Sequence, residues 1–279
     1  MRRAKGSSSP AGRTAGQGPS RTARNPGGVG RDGGAVQPDS ASIAAWEALR
    51  HPGGVSDDPF AAVAPVYENW YETPLGRHVD REELALLRRL VAREARRLVV
   101  EVGAGTGHVA RVFARDGARV LAVEPSRAMR SVGVARSAGL PIEWVAAFGE
   151  SLPLRSRVAD GALIVATLEF VSDPRRALAE ASRVVRPGGW LLVGWLEARS
   201  SWVATYRLAA DRGEAPWTAA RFLTRERLVE LVGREPEEYG EAVWAGPLAS
   251  EPLRAAEEAG RRSGHPPAFA AARWRIGET

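Results

Sequence analysis

The chain contains no cysteine. That excludes a disulfide framework, a thiolate metal site and a cysteine nucleophile, and it is compatible with a reducing compartment. Lysine is nearly absent as well. Lys5 is the only one, so the formal excess of +6 is carried by arginine. Acidic residues are interspersed with the arginines throughout, which favours a compositional origin for the excess over an anionic partner. Long apolar runs are missing too. Stretches such as 190 to 196 fall far short of the ~20 residues that a membrane-spanning helix needs. Arg2 and Arg3 are followed by no hydrophobic region of the kind an export signal carries. The expectation is a cytoplasmic protein with no membrane partner.

What is present starts at Asp58. Residues 1 to 57 are rich in Gly, Ser, Pro, Arg and Ala and have few large apolar side chains. Such a segment cannot offset its ordering entropy, so it is expected to be a disordered tail, with at most a transient helix at 43 to 49. From 58 to 96 the spacing of Phe60, Val63, Val66, Tyr67 and Trp70 predicts a helix. A turn at Thr73-Pro74-Leu75-Gly76 and a second helix from about 79 to 94 follow, the latter with Leu84, Leu87, Leu90 and Val91 as its apolar stripe. From 97 to 196 strands alternate with helices. Strands are expected near 99–102, 119–124, 142–147, 162–167 and 190–196, which gives a parallel sheet with right-handed crossovers. Asp173-Pro174 is a strong helix start, and Pro187-Gly188-Gly189 is read as the turn before the fifth strand. From 197 to 279 the pattern weakens. Short helices at 224–231 and 253–262 and last strands at 241–245 and 268–276 are expected.

The most informative stretch is Val99-Val100-Glu101-Val102-Gly103-Ala104-Gly105-Thr106-Gly107. A β-branched strand enters a glycine loop and then a helix, with Val109, Val112 and Phe113 on one face. This arrangement brings bare backbone close to a nucleotide-like ligand. The dinucleotide fingerprint needs a further glycine at 108, where this chain has His108, and it does not include Glu101.

Acid-x-Gly-x-Gly-x-Gly resembles motif I of the class I S-adenosylmethionine-dependent methyltransferases. Glu124, at the end of the second strand, matches the acidic residue of motif II, where a carboxylate can accept from two ribose hydroxyls. Phe148-Gly149-Glu150-Ser151-Leu152-Pro153-Leu154 is similar to the family's Asp-Ala-Glu-x-Leu-Pro-Phe segment. Phe148 replaces the aspartate that meets the adenine amino group, so either Phe148 stacks on the ring or Glu150 supplies the acceptor. Residues 163–171, Asp173-Pro174 and 183–189 resemble the type-11 small-molecule branch. So does 67–76, whose Tyr67 would sit over the methionine end of the cofactor.

The resemblance implies an α/β fold: a Rossmann-like, seven-stranded methyltransferase sheet with helices on both faces, an N-terminal helical lid and the disordered tail. It implies S-adenosylmethionine as cofactor, held by Tyr67, Glu101, Gly103, Ala104, Gly105, Gly107, Glu124, Pro125, Phe148, Gly149, Glu150, Thr167 and Leu168, and no metal. The implied reaction is methyl transfer by in-line displacement to a small-molecule substrate. That chemistry mainly requires alignment and exclusion of water, so no catalytic residue is obligatory.

Among candidates, His108 is expected to be a surface residue of the first helical turn and His78 to be solvent-exposed. Glu169 is open between an acceptor contact and a charge at a helix start. Trp195, Trp202, Trp217 and Trp244 are expected to pack, a few of them lining an apolar acceptor pocket. Arg199, Arg207, Arg212 and Arg221 leave room for an anionic group on the acceptor. A nucleic-acid methyltransferase is the competing reading. The Thr167-Leu168-Glu169-Phe170 sequence lacks the Asn/Asp-Pro-Pro-aromatic motif of base amino methylation, and the missing cysteine excludes covalent attack on pyrimidines. An oxidoreductase or a binder without activity is the third class.

Overall fold

The computed structural model describes residues 58–94 and 96–277; the tail expected at 1–57 lies outside the described residues. The strands are β1 (Leu98–Val102), β2 (Arg119–Val123), β3 (Ile142–Val145), β4 (Ala159–Val165), β5 (Val185–Leu196), β6 (Glu238–Ala242) and β7 (Phe269–Arg275). They form a seven-stranded sheet in the order β3-β2-β1-β4-β5-β7-β6. β1 to β5 are parallel, and β7 runs antiparallel between β5 and β6. The helices are α1 (Pro74–Leu90), α2 (His108–Arg115), α3 (Arg127–Arg136), α4 (Pro174–Val184), α5 (Ser201–Asp211), α6 (Arg225–Val232) and α7 (Leu253–Arg262).

Alternation along the strands divides the core in two. Val99, Val120 and Leu163 face α1, α2 and α5, whereas Val100, Val102 and Ile164 face α4 and α6. Central strands covered on both faces read as continuous β-branched runs, which is why β1 stood out in the sequence. The chain builds β1, β2 and β3 outward and then returns to lay β4 on the other side of β1. The crevice beyond the carboxyl ends of β1 and β4 is therefore the switch point at which open α/β sheets take ligands.

Several boundaries move for local reasons. The expected turn at 73–76 is the first turn of α1: Thr73 accepts from the Gly76 N–H at 2.9 Å, and Pro74 occupies the first helical position. A Cβ on Gly76 would lie 1.9 Å from the Trp70 carbonyl oxygen, so glycine is required there. The helix expected around 60–70 is instead a run of turns leading into a 3-10 segment, Tyr67–Glu72. β5 starts at Val185 and absorbs Pro187-Gly188-Gly189 through a register shift against Ala159 and Gly161 of β4. β4 stops at Val165, where Ala166 turns out with φ +46. β6 stops at Ala242, ahead of Val243 at φ +66. α5 was not anticipated. Ser200 caps it by accepting from the Val203 N–H at 3.1 Å.

The N-terminal segment is fastened to the glycine loop by one arginine. Arg111 of α2 donates to the Thr106 carbonyl at 2.7 Å and pairs with Glu68 of the 3-10 segment at 2.6 Å. Arg136 of α3 meets the other Glu68 oxygen at 3.0 Å. Glu68 and Arg111 are both buried. Breaking a buried pair by removing one partner strands the other charge, so Glu68→Ala is expected to lose about 3–5 kcal/mol. Replacing both Glu68 and Arg111 with methionine should lose distinctly less. Urea unfolding of the two variants checks this, and equal losses would show that the pair does not act as a unit.

Candidate active site

The glycine loop is held open by backbone geometry. Gly103, Gly105 and Gly107 have φ of +74, +56 and +76, a region that side chains with a Cβ rarely adopt. Their surroundings differ. A Cβ on Gly103 would lie 2.1 Å from Thr167 Cγ2, and one on Gly107 would lie 2.7 Å from the Trp144 ring. A Cβ on Gly105 would meet only Met129 Cε, at 3.4 Å, so Gly105 faces open space. The N–H groups of Gly103 and Ala104 both go to the Val123 carbonyl, at 2.8 and 2.9 Å, which ties the loop to the end of β2. Thr167 closes the other side, its hydroxyl donating to the carbonyls of Val165 at 2.9 Å and Gly103 at 3.2 Å.

Glu124 sits where β2 ends. One carboxylate oxygen accepts from the Gly105 N–H and the other from the Ser126 N–H, both at 2.8 Å. Burial raises its pKa above the ordinary carboxylate value in spite of these bonds. Each oxygen keeps a further lone pair for an external donor. Glu101, on the β1 side facing α2, accepts from the Ala110 N–H, while its Oε2 is buried without a partner. Burial and the nearby Glu124 push it up to about 8, against the pull of Arg111. Thr106 Oγ1 is likewise buried without a partner at this loop.

The remaining expected residues are placed unevenly. Tyr67 lies close enough to Glu124 for that charge to act on its hydroxyl, which burial pushes up to about 12. Phe148 is 69 % exposed and Gly149 is buried against Val102, while Pro125 is exposed at the start of the segment before α3. Two residues are restricted. The Glu150 carboxylate accepts from the N–H groups of Ser172 and Asp173, at 2.8 and 3.3 Å, ahead of α4. Leu168 turns its side chain into the core on the α4 face.

Other expectations need correction. His78 is not exposed: it is 3 % accessible, with Nε2 3.4 Å from Glu257 of α7 and Nδ1 2.6 Å from Arg81. Because α1 already begins at Pro74, residue 78 falls on its inner face. His108 is more than a surface residue. Its Nε2 lies 2.7 Å from Asp80 of α1, and its ring stacks on Tyr71 at 4.0 Å. Glu169 is not at a helix start. It is fully buried, accepts from the Leu196 N–H at 2.8 Å, leaves Oε2 unpartnered and is pushed by burial up to about 7. Arg199 and Arg212 are consumed by Glu197 and Glu214, and Arg207 lies over Phe222.

Trp195 and Trp202 pack as expected, and Trp244 lies under Arg261. Trp217 stacks on Tyr206 at 3.9 Å. An aromatic chain runs from Phe60 through Phe170 to Trp217 and Tyr206, with Trp70 meeting Trp202 at 5.8 Å. Sequence reasoning missed Glu83. The signal was available: Val79, Leu86, Leu87 and Leu90 form the inner stripe of α1, and position 83 lies within it.

Comparison with known proteins agrees with this geometry. A family model described as a methyltransferase domain matches residues 100–193. A Mycobacterium tuberculosis protein described only as uncharacterized is 35% identical over 169 residues, covering 61% of this chain and 56% of that protein. The chain thus spans little more than half of that relative. The ubiquinone/menaquinone biosynthesis C-methyltransferase UbiE of Rubrivivax gelatinosus is 30% identical over 174 residues, covering 60% of this chain and 67% of that protein. Among solved structures, an S-adenosylmethionine-dependent methyltransferase of Thermotoga maritima, titled a possible histamine N-methyltransferase, superposes with a TM-score of 0.62. It is 27% identical, and the match covers 78% of this chain and 98% of that one. The chain belongs to the class I S-adenosylmethionine-dependent methyltransferases, in the type-11 branch, and S-adenosylmethionine is its cofactor. Among the described residues no helix is long and apolar enough to cross a membrane, and no cluster of side chains could hold a metal ion.

The raised pKa of Glu101 makes stability depend on pH. The unfolded carboxyl ionises near its ordinary value, while the native one stays protonated up to about 8. From about pH 5 to 8 the unfolded state therefore binds fewer protons, and cofactor-free stability falls as pH rises. The slope approaches about 1 kcal/mol per pH unit for a fully buried group. Calorimetric melting between pH 5 and 8 should show this decline, and Glu101→Gln should make it shallower without removing it, because Glu83 and Glu169 are raised as well. An unchanged slope in the variant would place the proton elsewhere.

Proposed function

We propose that the protein transfers a methyl group from S-adenosylmethionine to a small, partly apolar acceptor. The cofactor supplies a methyl already activated on a sulfonium, so the protein's work is to bind, align and exclude water. The residues fit it. The unpartnered Glu101 Oε2 is an acceptor for an ammonium, Glu124 has lone pairs for ribose hydroxyls, and Gly105 leaves space where a side chain would intrude. Phe148, exposed beside Gly149, is available to cover the adenine ring. The adenine acceptor role falls less readily to Glu150, whose carboxylate already serves Ser172 and Asp173.

The observation that carries the acceptor class is the aromatic chain that joins the 58–76 and 197–222 segments. The 58–76 segment gives one wall, with Phe60, Tyr67 and Trp70, and the 197–222 segment gives another, with Tyr206 and Trp217. Apolar walls with a few polar groups are how small-molecule sites are built. The relatives' names point the same way: one is a quinone-pathway C-methyltransferase and one a possible histamine N-methyltransferase. The arginines of the second wall are mostly paired or stacked, which leaves little for a nucleic-acid backbone.

Gly105→Val is expected to abolish binding of the demethylated cofactor, by calorimetry. Glu124→Ala should weaken it by ~1.5–3 kcal/mol, the range for hydrogen bonds to a charged group. Unchanged affinity in the Gly105 variant would refute the site. Methyl transfer from labelled cofactor should appear in a metabolite extract. Label confined to nucleic acid, and released by nuclease, would refute the acceptor class.

A further inference from the structure

A cavity of about 490 Å³ opens where the start of α4, residues 172–175, faces residues 221–223 and the Arg227 and Leu231 positions of α6. That volume lies within the range of small-molecule sites. No residue of the cofactor site lines it. Leu223 and Leu231 are buried and Phe222 is half-buried, whereas Arg175, Arg221 and Arg227 are exposed. The cavity therefore combines an apolar wall with three guanidiniums that reach water.

The backbone that carries these side chains is tied in place. The Arg221 N–H donates to the Glu169 carbonyl at 2.7 Å, and the Leu223 carbonyl accepts from the Ala198 N–H at 3.0 Å. Arg227 and Leu231 stand four residues apart on α6 and so share a face. The Arg175 guanidinium donates to the carbonyls of Leu231 at 3.3 Å and Glu230 at 3.4 Å. The charges are spent unequally. Arg227 meets the Glu230 carboxylate at 2.7 Å. Among the described residues Arg175 and Arg221 have no acid within ion-pair distance. Asp173, the acid that lines the cavity, caps α4 by accepting from the Arg176 N–H at 3.0 Å. The Glu150 carboxylate also reaches this wall and occupies the N–H groups of Ser172 and Asp173. An incoming anion is therefore left to the guanidiniums, above all those of Arg175 and Arg221.

A guanidinium is planar and permanently charged, and its fork of N–H groups matches the oxygens of a phosphate or a carboxylate. Guanidiniums arriving from two different elements favour the group that presents oxygens on several sides, which is phosphate. We propose that this cavity binds a phosphate-bearing small molecule, with Arg175 and Arg221 holding the phosphate and Phe222, Leu223 and Leu231 packing its apolar part. Phe222 also lies 6.0 Å from the Tyr206 ring and 6.4 Å from that of Trp217, so the cavity shares one ring with the aromatic chain. Two sources can bring such a phosphate: the methyl acceptor itself, or a separate ligand. The chemistry of the site is the same for both, and it does not depend on the methyl-transfer reading.

The test is calorimetry on the full chain without cofactor, at fixed ionic strength, with phenyl phosphate, inorganic phosphate, benzoate and phenol as probes. Phenyl phosphate is expected to bind most tightly of the four. Arg221→Gln should weaken it at least ~10-fold, the low end for hydrogen bonds to a charged group, and Arg221→Lys should fall between, because it keeps the charge and loses the fork. Arg221 is exposed, so its variants are expected to melt with the wild type. Arg119→Gln removes another surface arginine, one paired with Glu143, and should leave binding unchanged. Phenyl phosphate that binds no better than phenol or benzoate overturns the proposal. So does equal binding by wild type and a folded Arg221→Gln protein, or an equal loss in Arg119→Gln, which would reduce the effect to net charge. Labelled methyl transfer into a metabolite extract, with and without phosphatase treatment, then separates the sources. Label lost on treatment assigns the phosphate to the acceptor, and label retained assigns it to a separate ligand.

Discussion

The Glu124 carboxylate, bridging the Gly105 N–H and the Ser126 N–H, is the contact on which the site depends. Gly105 belongs to the loop leaving β1, and Ser126 caps α3 by accepting from the Met129 N–H. One side chain therefore sets the separation between the glycine loop and the next crossover. The bonds from Gly103 and Ala104 to the Val123 carbonyl fix the same two segments through the backbone. Because β4 lies against the other edge of β1, the space left beyond these ends is bounded on one side by Thr167 and on the other by Glu124. The crevice follows from strand order, and its chemistry follows from which residues stand at the strand ends.

The N-terminal segment belongs to this machinery as much as to the fold. Arg111 reads the position of the loop through the Thr106 carbonyl and the position of the lid through Glu68. His108, in the first turn of the same helix, reaches Asp80 of α1 and stacks on Tyr71. A shift in the loop would thus be felt at Tyr67 and Tyr71 through two polar contacts from one short helix. Coupling of that kind needs packed, directional contacts, and both are present here.

The core from 97 to 196 was legible because its signals are local. β-branched runs, glycine punctuation and the Asp173-Pro174 start each depend on a few neighbouring residues. The glycine loop and Glu124 were legible for the same reason. What escaped was decided by distant partners. His78 reads as a surface residue until Glu257, far along the chain, is placed beside it by α7. Glu169 reads as a helix-start charge until β5 supplies the Leu196 N–H. β5 itself began earlier than its Pro-Gly-Gly sequence suggests, because a register shift against β4 accommodates it. α5 lies in a segment whose tryptophans and arginines hide the Ser200 cap.

The charge of the chain and the charge of its cleft have opposite signs, and the reason is physical. Nearly every basic residue is an arginine, and many are spent in ion pairs at the protein surface. Four carboxyls inside the protein are treated differently. Glu101, Glu124 and Glu169 take backbone N–H groups, and Glu83 takes no cation. Burial raises each of their pKa values, for Glu101 and Glu124 against the pull of Arg111 and Arg130, so the cofactor-free protein holds these acids partly protonated. On the methyl-transfer reading, the cofactor's ammonium would supply part of the missing charge at Glu101. The same deficit that weakens the empty fold at neutral pH therefore becomes affinity when the positive groups arrive, and tolerance of buried acids at this sheet end is a condition of binding rather than a flaw in packing.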